Sequence, residues 1–224
     1  DLRFQPWTGG GKHFCFFNQP AAAEANYQMF WSALRPLLED NSNALTQLDQ
    51  LRQGFADAME QALETMWASK LGLVNYDDTL VKELLKLMAR SKTDYTIFFR
   101  KLSTLPEDVL DLKTSFYQPC SEELDLQWDH WLQRWRKQIT SNADLKQVSA
   151  AMQRVNPTIT WREWLIAPAY QQAEQGDTSL IQELQDLFSH PYATPSIELE
   201  AKYDRLKPEQ FFDAGGISYY SCSS

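Results

Sequence analysis

The stretch WDHWLQRWRKQI, residues 128–139, decides the fold class of this chain. One face of an α-helix carries apolar residues at steps of three and four. The apolar residues of this stretch follow at steps of three, one, three and four: Trp128, Trp131, Leu132, Trp135 and Ile139. Only 8 glycines occur among 224 residues, which is too few for a turn-rich β architecture. We therefore predict an all-α fold, built as an irregular multi-helix bundle.

Helical spacing continues on both sides of this stretch, and capping residues predict where helices begin and end. A single helix is expected through Leu45–Trp67, because Gly54 inside it costs only about 1 kcal/mol. Thr160 and Glu163 have the T-x-x-E spacing of a capping box, in which each side chain bonds the other residue's backbone N–H. Gly176 can adopt the left-handed conformation that ends the helix opened by this box.

Three segments are predicted along the chain. Residues 1–20 are interrupted by prolines and glycines and read as an irregular incoming connection. Residues 21–190 are expected to form a helical domain, beginning with a helix over about Ala21–Leu38. Residues 191–224 predict short helices followed by a mobile C-terminal tail. The chain starts at Asp1 rather than at a methionine, so we expect a fragment or a processed product.

Composition excludes several classes of function. The formal net charge is −9, from 30 acidic against 21 basic residues, and no Lys/Arg-rich stretch is present, so we expect no nucleic-acid partner. No run of 18 apolar residues occurs, which argues against a transmembrane helix and a membrane partner. Three cysteines are too few for a disulfide framework and are typical of a reducing compartment. No targeting segment is recognisable in this chain.

Two stretches could hold a phosphate or a metal ion. The segment TGGGKH, Thr8–His13, is rich in glycine but lacks the spacing and the Ser/Thr of a phosphate-binding loop, so we interpret it as a flexible loop. Zinc sites require four ligands in short paired spacings. His13 and Cys15 are one residue apart, but Cys120 and His130 are far from them in sequence, and all four are interpreted as ordinary buried or surface residues.

Aromatic and charged clusters have a structural and a functional interpretation. Trp128, Trp131 and Trp135 could stack on a planar ligand, but their shared helix face favours packing in the core. The second cluster consists of Arg90, Asp94 and Arg100. It predicts a charge pair that braces two consecutive helices, with contact to a neighbouring domain as the alternative.

Cys222 is the one residue that position alone marks as a redox candidate. It follows the two glycines of GGISYYSCSS, residues 215–224, on a tail that is expected to be exposed. An exposed thiol on a flexible tether can reach a second cysteine, whereas a thiol in a core is usually inert. A terminal cysteine without a function is the alternative.

Five stretches, in the order found in the family, resemble the C-terminal region of the selenoprotein O (YdiU) family of protein adenylyltransferases. The stretches are NQPAAAEANYQMFWSALRPLL (18–38), LLKLMARSKTDYTIFFRKLS (84–103), VNPTITWREWL with AEQGD (155–165 and 173–177), and SCSS (221–224). The family consists of pseudokinase-like enzymes that transfer AMP from ATP to hydroxyl side chains of proteins with a divalent metal. The resemblance implies that this chain is the C-terminal helical part of a protein-kinase-like fold.

The family's nucleotide-binding residues precede the N-Q-P segment. The resemblance therefore assigns no catalytic, cofactor-binding or metal-binding residue to this fragment, which would be inactive alone, and places ATP and Mg²⁺ elsewhere in the full-length protein. The implied partners are the protein's own N-terminal kinase-like domain, to which residues 1–20 would connect, and protein substrates. Cys222 matches the family position of selenocysteine or cysteine, which implies redox regulation through a bond from the tail to the kinase-like part.

Two further interpretations remain open at this point. The chain could be a stand-alone helical module whose acidic surface and tryptophan-rich faces bind a protein partner, which predicts an exposed apolar patch. It could also be an independent thiol enzyme that uses Cys222. The family relationship further implies a cytoplasmic location in a bacterium and a mitochondrial one in a eukaryote.

Overall fold

The computed structural model describes residues 15–140 and 144–212, and these residues are predominantly helical. They form eleven α-helices: α1 Gln19–Leu34, α2 Ser42–Gln53, α3 Phe55–Leu71, α4 Asp78–Arg90, α5 Tyr95–Leu102, α6 Leu110–Lys113, α7 Glu122–Thr140, α8 Leu145–Gln153, α9 Glu163–Glu174, α10 Ser179–Ser189 and α11 Ile197–Tyr203. Short 3₁₀ helices cover Phe16–Asn18, Arg35–Leu38 and Glu209–Phe211. The described ranges contain no β-strand, only an isolated bridge between Thr93 and Phe116. The all-α prediction is confirmed.

The chain divides into two compact units, Asp1–Met66 and Trp67–Ser224, and the boundary falls within α3. In the first unit, Trp31 of α1 organises the contacts with α2. Its indole N–H donates to Asp49 Oδ1 at 3.0 Å, and the guanidinium of Arg52 lies 4.3 Å above its ring. Arg35 donates to the same Asp49 oxygen at 2.7 Å. This division into compact units does not test the segment boundaries at residues 20 and 190, which come from the pattern of the sequence. Those boundaries stay predictions.

The core of the second unit is built on the aromatic face of α7. Trp128, Trp131 and Trp135 are at most 1% exposed, and the rings of Trp131 and Trp135 stack with centroids 6.1 Å apart. Each indole N–H is satisfied, because the three donate to Ser91 Oγ, Leu80 O and Leu71 O at 3.0, 2.9 and 2.8 Å. A buried indole N–H usually has such a partner. The three tryptophans are therefore core residues, as the sequence predicts.

A smaller apolar cluster joins α9, α10 and α11. Trp164, Leu165 and Ile166 at the start of α9 pack with Leu184 of α10 and Tyr203 of α11. The cluster holds these three helices together. Among the described residues, none of the helices combines the length and apolar character that crossing a lipid bilayer requires.

Two helices end earlier than the sequence predicts. The expected helix through Leu45–Trp67 is interrupted at Gly54, which separates α2 from α3 and has φ −77° and ψ −4°. Glycine loses the most backbone freedom in a helix, so a break is least costly there. The helix expected to reach Leu38 ends at Leu34 and continues as a 3₁₀ turn. Pro36 lies in that turn and has no N–H to continue the α-helical pattern.

The predicted capping box at Thr160 is wrong. The Thr160 hydroxyl pairs with that of Thr96 at 3.1 Å instead, and α9 begins after Arg162 without a side-chain cap. The predicted terminator of this helix is confirmed, because Gly176 directly follows the C-cap residue Gln175 and has φ +90°. A glycine tolerates this left-handed conformation without the strain that a Cβ would introduce.

Candidate functional site

The candidate thiols and metal ligands do not assemble into a site in the described part of the chain. Thr8–His13 and Cys222 lie outside the described residues. Cys15 is buried, and burial together with Asp125 raises the pKa of the Cys120 thiol, an effect that Lys113 partly offsets. A raised pKa lowers the fraction of reactive thiolate. No three His, Cys, Asp or Glu residues within ranges 15–140 and 144–212 come close enough to hold a metal ion.

The charged cluster Arg90, Asp94 and Arg100 is not the local pair that the sequence predicts. Arg90 donates to Gln127 of α7, and Arg100 donates to the carbonyls of Gln153 and Asn156 at 3.0 and 3.2 Å. Both arginines therefore reach segments far along the chain. The prediction that this cluster braces two consecutive helices is wrong in its partners, because long side chains bind acceptors that tertiary packing brings near.

Asp94 forms the most buried ion pair among those in the described chain, and its partner is Arg162. The guanidinium donates two hydrogen bonds to the carboxylate, at 2.7 and 2.9 Å, and the two side chains are 10% and 13% exposed. Asp94 also caps α5 by accepting from Ile97 N at 3.1 Å. Bidentate geometry and burial make such a pair much stronger than a surface ion pair.

The same ion pair holds the segment that follows α11. Arg162 also donates to Arg205 O at 3.4 Å, and the Tyr117 hydroxyl, 3.3 Å from Asp94 Oδ2, accepts from Lys207 N at 3.1 Å. Burial raises the pKa of the nearby Asp204 carboxyl, although Arg162 acts against this shift. These contacts attach the end of the described chain to α5.

A second polar cluster centres on Lys70 and Asn156, which are 8% and 0% exposed. Lys70 Nζ donates to Asn156 Oδ1 at 2.8 Å, and Asn156 Nδ2 donates to Lys70 O and Ser103 Oγ at 2.8 and 3.0 Å. The ammonium lies 4.4 Å from the centre of the Phe99 ring and 5.1 Å from that of Tyr95. Burial lowers the pKa of Lys70 from 10.5 to about 8.

Sequence reasoning singled out Asp94 but missed its partner Arg162. It missed the cluster of Lys70 and Asn156 altogether, although one signal was available for Lys70. Lys70 follows Trp67 by three residues and precedes Leu71, so it lies on the apolar face of α3. A lysine on an apolar face needs a partner when it is buried. Asn156 and Arg162 carry no comparable signal, since their partners are distant in sequence.

These observations describe an all-helical region of a protein. Its two buried polar clusters connect segments that are far apart in the sequence. The chain also matches the family model described as "Protein adenylyltransferase SelO" over residues 6–189. It therefore belongs to the SelO family, and the resemblance drawn from the sequence is confirmed.

The relatives are bacterial proteins named "Protein nucleotidyltransferase YdiU". The protein from Aromatoleum aromaticum is 32% identical over 238 residues, which cover 99% of this chain and 44% of the relative. The proteins from Tolumonas auensis and Xanthomonas axonopodis pv. citri are 30% and 32% identical, over 44% and 42% of their lengths. The chain thus spans less than half the length of these curated relatives.

Proposed function

We propose that this chain is the C-terminal helical region of a protein adenylyltransferase with a kinase-like fold. The whole enzyme would use Mg²⁺ and transfer AMP from ATP to hydroxyl side chains of protein substrates. The observation that carries this proposal is the SelO family match over residues 6–189. Its relatives are named nucleotidyltransferases and are more than twice as long as the matched region. The nucleotide and the metal would then bind in the kinase-like part, and this chain alone would be inactive.

The role proposed for this chain is mechanical support of that kinase-like part. In the first unit, Met29, Phe30 and Leu37 are 71%, 58% and 78% exposed. Met29 and Phe30 are adjacent in α1, and Leu37 lies in the 3₁₀ turn that directly follows this helix. Single exposed apolar residues are ordinary, but a contiguous group marks a contact surface. We propose that this face packs against the kinase-like domain.

Cys222 would regulate the enzyme through a disulfide with a cysteine of the kinase-like part. The two thiols would lose two electrons and two protons to a small disulfide such as oxidised glutathione, which would be reduced to two thiols. The support for this proposal is the position of Cys222 in the family pattern. Mass spectrometry of the full enzyme after mild oxidation tests it: a disulfide at Cys222 is expected, and a Cys222 that stays reduced while other thiols oxidise would contradict it.

A chimaera tests the enzymatic assignment. The N-terminal region of the Aromatoleum aromaticum relative, up to the start of its match, would be joined to this chain. With ATP labelled at the α-phosphate and Mg²⁺, the chimaera should label proteins and residues 1–224 alone should not. A folded, soluble but inactive chimaera, beside an active parent, would contradict the assignment. Equal labelling by this chain alone would contradict the location of the nucleotide site.

The exposed face also favours a second candidate, a stand-alone interaction module. The substitution Phe30→Asp separates the two, because it places a charge in the proposed domain contact. The chimaera that carries it should lose activity or thermal stability if the face supports the kinase-like domain. Unchanged activity and stability of this variant would favour the interaction module.

A further inference from the structure

The outer surface of α4 and α7 carries a groove that neither polar cluster uses. The two helices run antiparallel, since Asp77 bonds Gln138 near one end and Arg90 bonds Gln127 near the other. The groove between them has a volume of about 790 Å³, and its lining includes the apolar residue Leu126. Leu126 is 70% exposed, although α4 and α7 each bury their other face in the core.

The floor of the groove is rigid and apolar. Leu87 and Trp131 line it and are 6% and 1% exposed. Trp131 is fixed by its hydrogen bond to Leu80 O at 2.9 Å and by its stacking on Trp135. A preformed apolar floor keeps the entropic cost of binding low, because few side chains have to be ordered.

The charges around the groove favour an acidic partner. Its lining includes the cations Lys86, Arg90 and Arg134 and the anions Glu83 and Glu123. Both anions are already opposed by arginines, Glu83 by Arg134 and Glu123 by Arg90 at 4.0 Å. Lys86 has no polar partner within the described residues and is exposed. With three cations against two anions the lining has a formal charge of +1, which Lys86 carries, whereas the net charge of the chain is −9. This contrast would direct an acidic segment to the groove.

We propose that this groove binds an acidic amphipathic helix of a partner protein. Helices dock into such grooves through apolar residues spaced three, four and seven positions apart. The apolar face of the partner would cover Leu126 and Trp131, and a carboxylate at its edge would pair with Lys86. This inference is independent of the adenylyltransferase assignment, because it concerns binding by residues of this chain alone.

A labelled model peptide tests this proposal directly. The probe is a fluorescein-labelled amphipathic peptide of about 18 residues, long enough to form a helix, composed of leucine, alanine and glutamate with the leucines on one face. Fluorescence anisotropy should show saturable binding to residues 1–224. Substituting lysine for every glutamate in the peptide should weaken binding by roughly tenfold or more, and added salt should weaken binding of the acidic peptide.

Variants of the chain locate the binding site. Leu126→Asp and Lys86→Glu should each weaken binding by roughly tenfold, since each places a negative charge where the peptide would bind. Leu110→Asp is the matched control, because Leu110 is 63% exposed and lies outside the groove; it should change affinity less than about twofold. Phe30→Asp should likewise leave binding unchanged. Circular dichroism should show the same helical content in all four variants.

Four results would overturn the proposal. The first two are the absence of saturable binding and an equal affinity for the acidic and basic peptides. The third is a loss of affinity in Leu110→Asp as large as that in Leu126→Asp, and the fourth is a loss of affinity in Phe30→Asp but in no other variant. Sedimentation of the free chain provides a further check on the occupant. If the chain self-associates and Leu126→Asp abolishes that association, the groove binds a second copy and not a partner's helix.

Discussion

Raising the pH from about 7 to about 9.5 should stabilise this fold through the buried amine of Lys70. Burial lowers the pKa of Lys70 from 10.5 to about 8. The ammonium packs on the rings of Tyr95 and Phe99 and donates to the neutral amide of Asn156. No ion pair to Lys70 occurs in the described part of the chain, so little compensates the loss of hydration of its charge.

The sign and size of the effect follow from proton linkage. In the unfolded chain the lysine keeps its ordinary pKa, so between about pH 8 and 10.5 the unfolded state binds more protons than the folded state. The folded state is therefore penalised below pH 8 and gains stability as the pH rises through this window. A shift from 10.5 to about 8 corresponds to about 3 kcal/mol in total. About 2 kcal/mol of this should appear between pH 7 and 9.5.

Urea unfolding followed by tryptophan fluorescence measures this effect in the intact chain and in Lys70→Met. Methionine keeps much of the side-chain length without the charge, and the remaining titratable groups are common to both proteins. The free energy of unfolding of the natural chain, relative to that of the variant, should rise by about 2 kcal/mol between the two pH values. A difference that stays constant within about 0.5 kcal/mol would refute the reasoning.

Four other substitutions test three specific features of the fold. Arg162→Met leaves the carboxylate of Asp94 buried without its partner. It should lower the free energy of unfolding by about 3 kcal/mol or more. A decrease of less than about 1 kcal/mol would contradict the burial of this pair. Gly72→Ala introduces a Cβ within 2.7 Å of two side chains at φ +65°, and should cost more than Gly176→Ala, which has open space at φ +90°. Equal losses in urea titrations would contradict the crowding at Gly72. Gly54→Ala, at a φ that alanine tolerates, should raise the stability of the first unit by about 0.5 to 1 kcal/mol; a lower melting temperature would contradict this.

Local patterns predicted the parts of the fold that depend on neighbouring residues. The spacing of Trp128, Trp131 and Trp135 identified both a helix and its buried face, because helical periodicity and burial act over single turns. The terminator at Gly176 likewise involves backbone groups only a few residues away, since Gly176 N donates to Ala173 O at 2.9 Å. Such interactions are present in the sequence itself, so capping rules can find them.

Features that depend on distant partners could not be predicted in this way. Thr160 has the spacing of a capping residue but bonds the hydroxyl of Thr96, 64 residues away. The break at Gly54 is a choice between a continuous helix and two shorter ones that differ by only about 1 kcal/mol in local preference. Tertiary contacts decide between such alternatives, and a single sequence does not display them.

Lys70 and Asn156 show why a buried polar cluster is not by itself an active site. The two residues are 86 positions apart, and each polar atom of the asparagine side chain is satisfied by the chain itself. A group that has to bind substrate must instead leave some hydrogen-bonding capacity open. The carboxylate of Asp94 is likewise satisfied within the chain, since both of its oxygens accept hydrogen bonds from the guanidinium of Arg162. These two clusters thus use their buried polar groups to support the fold, which is the role expected of this region if the chemistry of the proposed enzyme takes place in another part of the protein.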